Sequence, residues 1–350
     1  MTELVAISHV DVPQSEVNTL VDEAVAAGYS VALHRAGRRF LVFARSAHGA
    51  VPGTEFFRAK SYISDVVLEN SLHPLGDRVR HPQGSVVEVG GVRFGGGNTV
   101  IIAGPCSAET PELLLETAAQ VREAGASMLR VGVFKPRTSP YAFQGLGAGA
   151  FEALREARSR YGLPIVSEII SVSELDGLLT AVDMLQVGAR NMQNYPLLSA
   201  LGTCDRPVLL KRGLAATVDE WLSAAEYLMA GGNERVVLCE RGIRTYERTT
   251  RFTLDLGVVP VLKGRTHLPV IVDPSHGTGR VDLVHPMSRA AVAAGADGVI
   301  VEVHPRPAQA LSDGFQSLDL PGFKQLMTEL EPVAQAVGRP LHTYSDLQPV

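Results

Sequence analysis

The sequence predicts a closed (β/α)8 TIM barrel preceded by a ferredoxin-like α+β domain, and three observations carry that expectation. Eight short apolar runs follow one another from residue 99, each separated from the next by enough chain for a helix. The runs are apolar at successive positions rather than alternate ones, as parallel strands covered on both faces must be. Each run also has polar or charged residues at its carboxyl end or just beyond it, where such barrels place their chemistry. An open doubly wound sheet is the alternative that the first two observations leave.

Taken in order, residues 1–70 form the front domain. LVAISHV reads as a strand and PQSEVNTLVDEAVAAG as a helix, because Val17, Leu20, Val21, Ala24 and Val25 recur at helical spacing until Gly28 ends it. YSVALHR and RRFLVFARS pair across a turn at Ala36-Gly37, and a weaker helix and strand follow. HPLGDRVRHPQG, within residues 71–84, is polar and punctuated by proline and glycine, the composition of a linker. The barrel unit is expected over 85–340, with 341–350 as a tail. SVVEVGGVRFGGG opens it as a hairpin turning at Gly90-Gly91 and placed to cover the N-terminal mouth. The eight strands are then TVIIAGP, SMLRVGVF, LPIVSEI, DMLQVGA, PVLLKRG, RVVLCER, LPVIVDP and GVIVEVH, with helices such as PELLLETAAQVREAG and TVDEWLSAAEYLMAG between them. GGVRFGGGN lacks both the dinucleotide-binding spacing and the lysine of a phosphate loop, so its glycines serve turns.

Composition narrows the function. A net charge of −5 argues against a general nucleic-acid binder, so anion recognition has to be local. No stretch approaches the eighteen or so apolar residues of a membrane span, and MTELVAISHVDVPQSE lacks the features of a secretion signal. Three widely spaced cysteines make no disulfide framework. The expectation is a cytoplasmic, reduced enzyme.

Reading each run to its end gives Cys106, then Arg130 and Lys135, Glu168, Arg190, Lys211, Arg241, His276, and finally Glu302 with Asp313 beyond it. Strands seven, eight and one become neighbours when the barrel closes. Their residues, Cys106, His276, Glu302 and Asp313, form a divalent-metal ligand set whose sulfur favours Mn2+, Fe2+, Co2+ or Zn2+ over Mg2+ and Ca2+. Arg130, Lys135, Arg137, Arg190, Lys211 and Arg241 come from the other strands. Six cations around one pocket of an acidic protein require an anionic ligand, either two phosphorylated molecules or a phosphate plus a carboxylate. Thr138 and Ser139 add hydroxyl and backbone donors to a second phosphate.

These segments resemble a known family. AGPCSAE (103–109), LRVGVFKPRTSPYAFQGLG (129–147), LQVGARNMQN (185–194), VLLKRG (208–213), CERGIRTYE (239–247), VDPSHGTG (272–279), IVEVHP (300–305) and ALSDGFQSL (310–318) look like 3-deoxy-D-arabino-heptulosonate 7-phosphate (DAHP) synthase of the type Iβ branch. The resemblance implies metal-dependent condensation of phosphoenolpyruvate with erythrose 4-phosphate at the entry to the shikimate pathway. It implies the metal on Cys106, His276, Glu302 and Asp313, and the phosphate of phosphoenolpyruvate on Arg190, Lys211 and Arg241 with Glu168. The carboxylate would meet Arg130 and Lys135, and the sugar phosphate Arg137, Thr138 and Ser139. Catalytic roles fall to Lys135, Cys106, His276 and Glu168, with Lys135 as proton donor. The front domain resembles an extension that gates the barrel mouth when an aromatic amino acid binds, which implies inhibition by tyrosine or phenylalanine and a homotetramer. A 3-deoxy-D-manno-octulosonate 8-phosphate synthase, and a non-catalytic metabolite-sensing barrel, are the competing readings.

Overall fold

The computed structural model describes residues 3–46, 53–68, 71–135, 139 and 141–342. Arg137 and Thr138 lie outside the described residues. The front of the chain forms an antiparallel sheet in the order β2-β3-β1-β4, from β1 (Leu4–Ser8), β2 (Tyr29–Ala36), β3 (Arg39–Ser46) and β4 (Ile63–Leu68). Helices Gln14–Ala26 and Thr54–Arg58 fill the two crossovers, and Val17, Leu20, Ala24 and Phe57 pack on Leu4, Ala6 and Val42. Val25, expected on the buried stripe, is exposed. One residue past Ala24 is about 100° around the helix, which turns it off a face one sheet wide.

Val5, Ile7, Leu41 and Val67 point from the opposite face of that sheet into the core shared with the barrel. The backbone N–H of Arg38 donates to the carbonyl of Ala230 at 3.0 Å, and the Arg39 guanidinium pairs with Glu234 at 2.7 Å. Ala230 and Glu234 precede the sixth barrel strand, so the front unit stands at the N-terminal rim of its own barrel.

The expected linker is a buried strap rather than a loose connection. His73, Leu75 and Gly76 are buried. The Glu226 carboxylate accepts the backbone N–H groups of Leu75 (3.2 Å) and Gly76 (2.6 Å), while the Thr266 hydroxyl and the His267 N–H donate to the Gly76 carbonyl. A sequence rich in proline and glycine leaves few internal hydrogen bonds, and here the barrel supplies them.

Next, β5 (Val87–Val89) and β6 (Val92–Phe94) form the predicted hairpin. Gly90 (φ 54°) and Gly91 (φ 87°) supply the left-handed pair that a two-residue turn requires. A side chain at 90 would also meet Pro164 at 2.8 Å.

The barrel strands are β7 (Thr99–Gly104), β8 (Met128–Arg130), β9 (Ile165–Ile169), β10 (Met184–Val187), β11 (Val208–Lys211), β12 (Val236–Glu240), β13 (Val270–Val272) and β14 (Gly298–Glu302). Each pairs in parallel with the next and β14 pairs with β7, which closes the cylinder. A two-residue strand, β15 (Leu341–His342), pairs on the outside of β7. Side chains alternate strictly. Ile101, Leu129, Ile165, Leu185, Leu210, Leu238, Val270 and Val301 face the helices, whereas Val100, Met128, Val166, Leu209, Val237, Ile271 and Ile300 face inward and cluster with Val87, Val89, Val92 and Phe94 of the hairpin. The N-terminal mouth is thus plugged by apolar packing. Capping fixes where helices begin: at Val218–Ala230 the Thr217 hydroxyl accepts from Glu220 N–H while the Glu220 carboxylate accepts from Thr217 N–H.

Candidate active site

The inward parity of each strand continues two residues beyond the apolar layer, and there the chemistry changes. Val100 and Ile102 lead to Gly104, Met128 to Arg130, Val166 to Glu168, and Met184 to Gln186. Leu209 leads to Lys211, Cys239 to Arg241, Ile271 to Asp273 and Ile300 to Glu302. A period of two, on strands staggered around a barrel, turns these residues into one ring at the C-terminal mouth. Small residues leave them room. A Cβ on Gly104 would strike the Arg130 carbonyl at 2.2 Å, and one on Gly188 would strike the Glu168 carboxylate at 2.0 Å.

Arg130, Lys135, Ser139, Glu168, Gln186, Arg190, Lys211, Arg241, His276 and Asp313 line one cavity of about 480 Å3, together with Arg244 and Arg251. Ligand atoms of Cys106, His276, Glu302 and Asp313 all lie within 4.8 Å of one another. His276 stands three residues after Asp273, which caps the short helix Pro274–Thr278 by accepting His276 N–H at 2.9 Å. The second carboxylate oxygen of Asp273 accepts from His276 Nδ1 at 2.7 Å and from Lys211 Nζ at 2.5 Å. A carboxylate only accepts, so Nδ1 carries the proton and Nε2 offers a lone pair. Glu302 Oε1 lies 3.2 Å from Nε2, and this buried oxygen makes no well-formed hydrogen bond among the described residues, its other neighbour being Arg130 Nη2 at 3.3 Å. Two facing acceptors with no proton between them suit a cation, and thiolate, imidazole and carboxylates together suit a divalent transition metal.

The two arcs expected from the sequence interlock rather than standing apart. Lys135 Nζ lies 2.5 Å from Cys106 Sγ and 3.5 Å from Asp313, and Arg130 Nη2 lies 3.3 Å from Glu302. Arg130 is buried, yet its Nε and Nη1 groups find no partner in the protein. Arg190 is exposed at the cavity edge with no partner among the described residues, and Arg241 lies over the Phe252 ring, 4.1 Å from its centroid.

Protonation follows from these neighbours. Burial pushes the Cys106 thiol up, reinforced by the Glu302 carboxylate. Burial pushes His276 down, keeping its imidazole neutral near pH 7. Burial opposes the charge of Lys135, but Cys106, Glu302 and Asp313 outweigh it and hold the ammonium above its usual range. At Asp313 burial is likewise overcome, chiefly by Lys135, and its pKa falls to about 2.

The sequence pattern of the DAHP synthetase I family matches residues 77–336. The chain belongs to this family. A phospho-2-dehydro-3-deoxyheptonate aldolase of Thermotoga maritima is 50% identical over 282 residues, covering 81% of this chain and 83% of that protein. The crystal structure of the DAHP synthase from Thermotoga maritima superposes with a TM-score of 0.77 at 42% identity, covering 98% of this chain and all of that one. A 2-dehydro-3-deoxyphosphooctonate aldolase of Syntrophotalea carbinolica is more distant, 35% identical over 70% of this chain and 94% of its own length. Among the described residues no helix is long and apolar enough to cross a membrane.

Four residues of this DAHP synthase site were not singled out from sequence. Asp273 was legible, as an N-cap acid followed by proline three positions before His276. Gln186 shares the inward parity of its strand, and its amide donates to Glu168 at 3.3 Å. Arg251 and Gln316 sit on loops, where no periodicity announces which way a side chain points.

Proposed function

We propose that this barrel is a DAHP synthase that joins phosphoenolpyruvate to D-erythrose 4-phosphate, yielding DAHP and inorganic phosphate. The observation that carries the reading is Arg130: a buried guanidinium with two unpartnered donors, wedged between the ligand cluster and the cationic wall. It offers a carboxylate a place beside the four metal-ligating residues. In this reading Arg190, Lys211 and Arg241 hold the adjoining phosphate, with Glu168 organising water beside it. Ser139, with Arg137 and Thr138, receives the sugar phosphate.

A divalent ion such as Mn2+, Fe2+, Co2+ or Zn2+ on Cys106, His276, Glu302 and Asp313 supplies a Lewis acid for the sugar aldehyde. C3 of phosphoenolpyruvate bonds to C1 of the sugar as the aldehyde π bond breaks to an alkoxide. Water adds at C2 and gives up one proton. The C2–O bond to phosphate then breaks while the C2 hydroxyl passes its proton to the departing phosphate, leaving the ketone. Arg130 and Lys135 balance the carboxylate while positive character develops at C2. Lys135, held protonated by its acidic neighbours, gives its proton only to a strong base, and the alkoxide formed at C1 of the sugar is such a base. Asp273 holds His276 and Lys211 in place through one carboxylate.

Phosphate release from phosphoenolpyruvate tests the reading. Erythrose 4-phosphate should support turnover, arabinose 5-phosphate should not, and a chelator should abolish it until metal is restored. Equal turnover with arabinose 5-phosphate would favour the eight-carbon synthase, and none with either sugar the non-catalytic barrel. Homotetramer formation, and inhibition by tyrosine or phenylalanine between front domains of two chains, belong to the same reading. A front unit seated at its own barrel's N-terminal rim can gate only another chain's mouth.

A further inference from the structure

The ligand cluster is braced by a second pair of residues. Gln316 is fully buried, and its amide Nε2 donates to Glu302 Oε2 at 2.6 Å. Its carbonyl Oε1 accepts from Arg251 Nη1 at 3.0 Å, and the same guanidinium lies 3.7 Å from Asp313. Only one amide orientation fits, because a guanidinium can only donate and a carboxylate can only accept. Gln316 also closes the one-turn element Gly314–Gln316, whose N-cap is Asp313 itself, held at φ 49° in left-handed backbone that non-glycine residues rarely adopt. The backbone N–H of Glu302 donates to Ser275 Oγ at 3.0 Å, which fixes the other side of that residue.

We infer that Gln316 and Arg251 are positioning residues that decide which oxygen of Glu302 faces the metal cluster. With Oε2 engaged by the amide, Oε1 is the oxygen turned to the cluster, 3.2 Å from His276 Nε2 and 3.3 Å from Arg130 Nη2. Gln316 ties the loop that carries Asp313 to the strand that carries Glu302, so two ligands on different elements keep one spacing. Arg251 anchors the far end of the amide from the cavity wall. Outer partners of this kind typically set metal affinity by about 10- to 100-fold. The inference rests on the reading that Cys106, His276, Glu302 and Asp313 hold a metal.

Titration of the apo protein with Co2+ alone, followed by visible absorption and without substrate, tests it. Gln316→Met keeps the volume and removes both hydrogen bonds, and should raise the Co2+ dissociation constant roughly 10- to 100-fold. Arg251→Met should shift it in the same direction by less. A Gln316→Met protein that unfolds like the parent and binds Co2+ within twofold of it overturns the inference. Should that variant fail to fold, Arg251→Met decides: unchanged Co2+ affinity overturns the inference and weakened affinity supports it. A parent protein that takes up no Co2+ removes the metal-site reading, and this inference with it.

Discussion

At the lower end of the barrel Val100, Met128, Val166, Leu209 and Ile300 close on Phe94 of the hairpin. Two residues further along those strands stand charged or catalytic-type groups, Arg130, Glu168, Lys211 and Glu302 among them. The same backbone serves both ends, yet the energetics are opposed. Apolar burial at the plug contributes roughly 25 cal/mol per Å2 and has no competing desolvation of charge. At the mouth Lys211–Asp273 and Arg130–Glu302 are buried pairs and Lys135–Asp313 a largely buried one, so the attraction is mostly spent on dehydration and the net stabilisation is small. One end holds the cylinder together, and the other holds groups whose charge is useful only when a ligand arrives.

The largest expected effect that would break this contrast lies at the plug. Phe94→Ala should cost about 3–5 kcal/mol of stability through the cavity it leaves, measured by denaturant unfolding. Its KM for phosphoenolpyruvate should stay near the parent value. At the mouth, Arg190→Ala removes a cation that pairs with nothing among the described residues. It should leave the unfolding midpoint in place and raise the KM for phosphoenolpyruvate roughly 10- to 150-fold, the loss of about 1.5–3 kcal/mol from a charge-assisted contact. A Phe94→Ala protein with the same KM defect would show that the two ends are not separable.

A smaller effect sharpens the comparison through pH. Burial lifts Glu226, under the strap at the N-terminal rim, to a pKa of about 7 from 4.5. A raised carboxyl contributes stability that is complete below 4.5 and lost as pH climbs to about 7. Asp313 at the mouth is depressed instead, so its contribution is complete above 3.8 and lost only as pH falls towards 2. Unfolding free energy measured between pH 4.5 and 7 should therefore decline less steeply in Glu226→Gln than in the parent. Identical slopes would show that Glu226 does not titrate in that window.

Local features of the chain were legible because their physics is local. The Gly90-Gly91 turn, the helix within TVDEWLSAAEYLMAG and the continuous apolar runs of the barrel strands all follow from interactions within a few residues. The polar residues at strand ends were visible for the same reason. The burial of residues 73–76 within the linker was not visible because their hydrogen bonds go to Glu226, Thr266 and His267, which are far away in sequence.

By itself, then, the sequence pointed to the barrel, its hairpin cover and most residues at its mouth, since eight apolar runs in order, each read to its polar end, suffice for that. Only the tertiary structure decided that Cys106 meets Asp313 across 207 positions, that Asp273 joins His276 to Lys211, and that Arg251 reaches Glu302 through Gln316. Those contacts depend on how the cylinder closes and how its loops fold over the rim, and spacing along a chain carries no record of either.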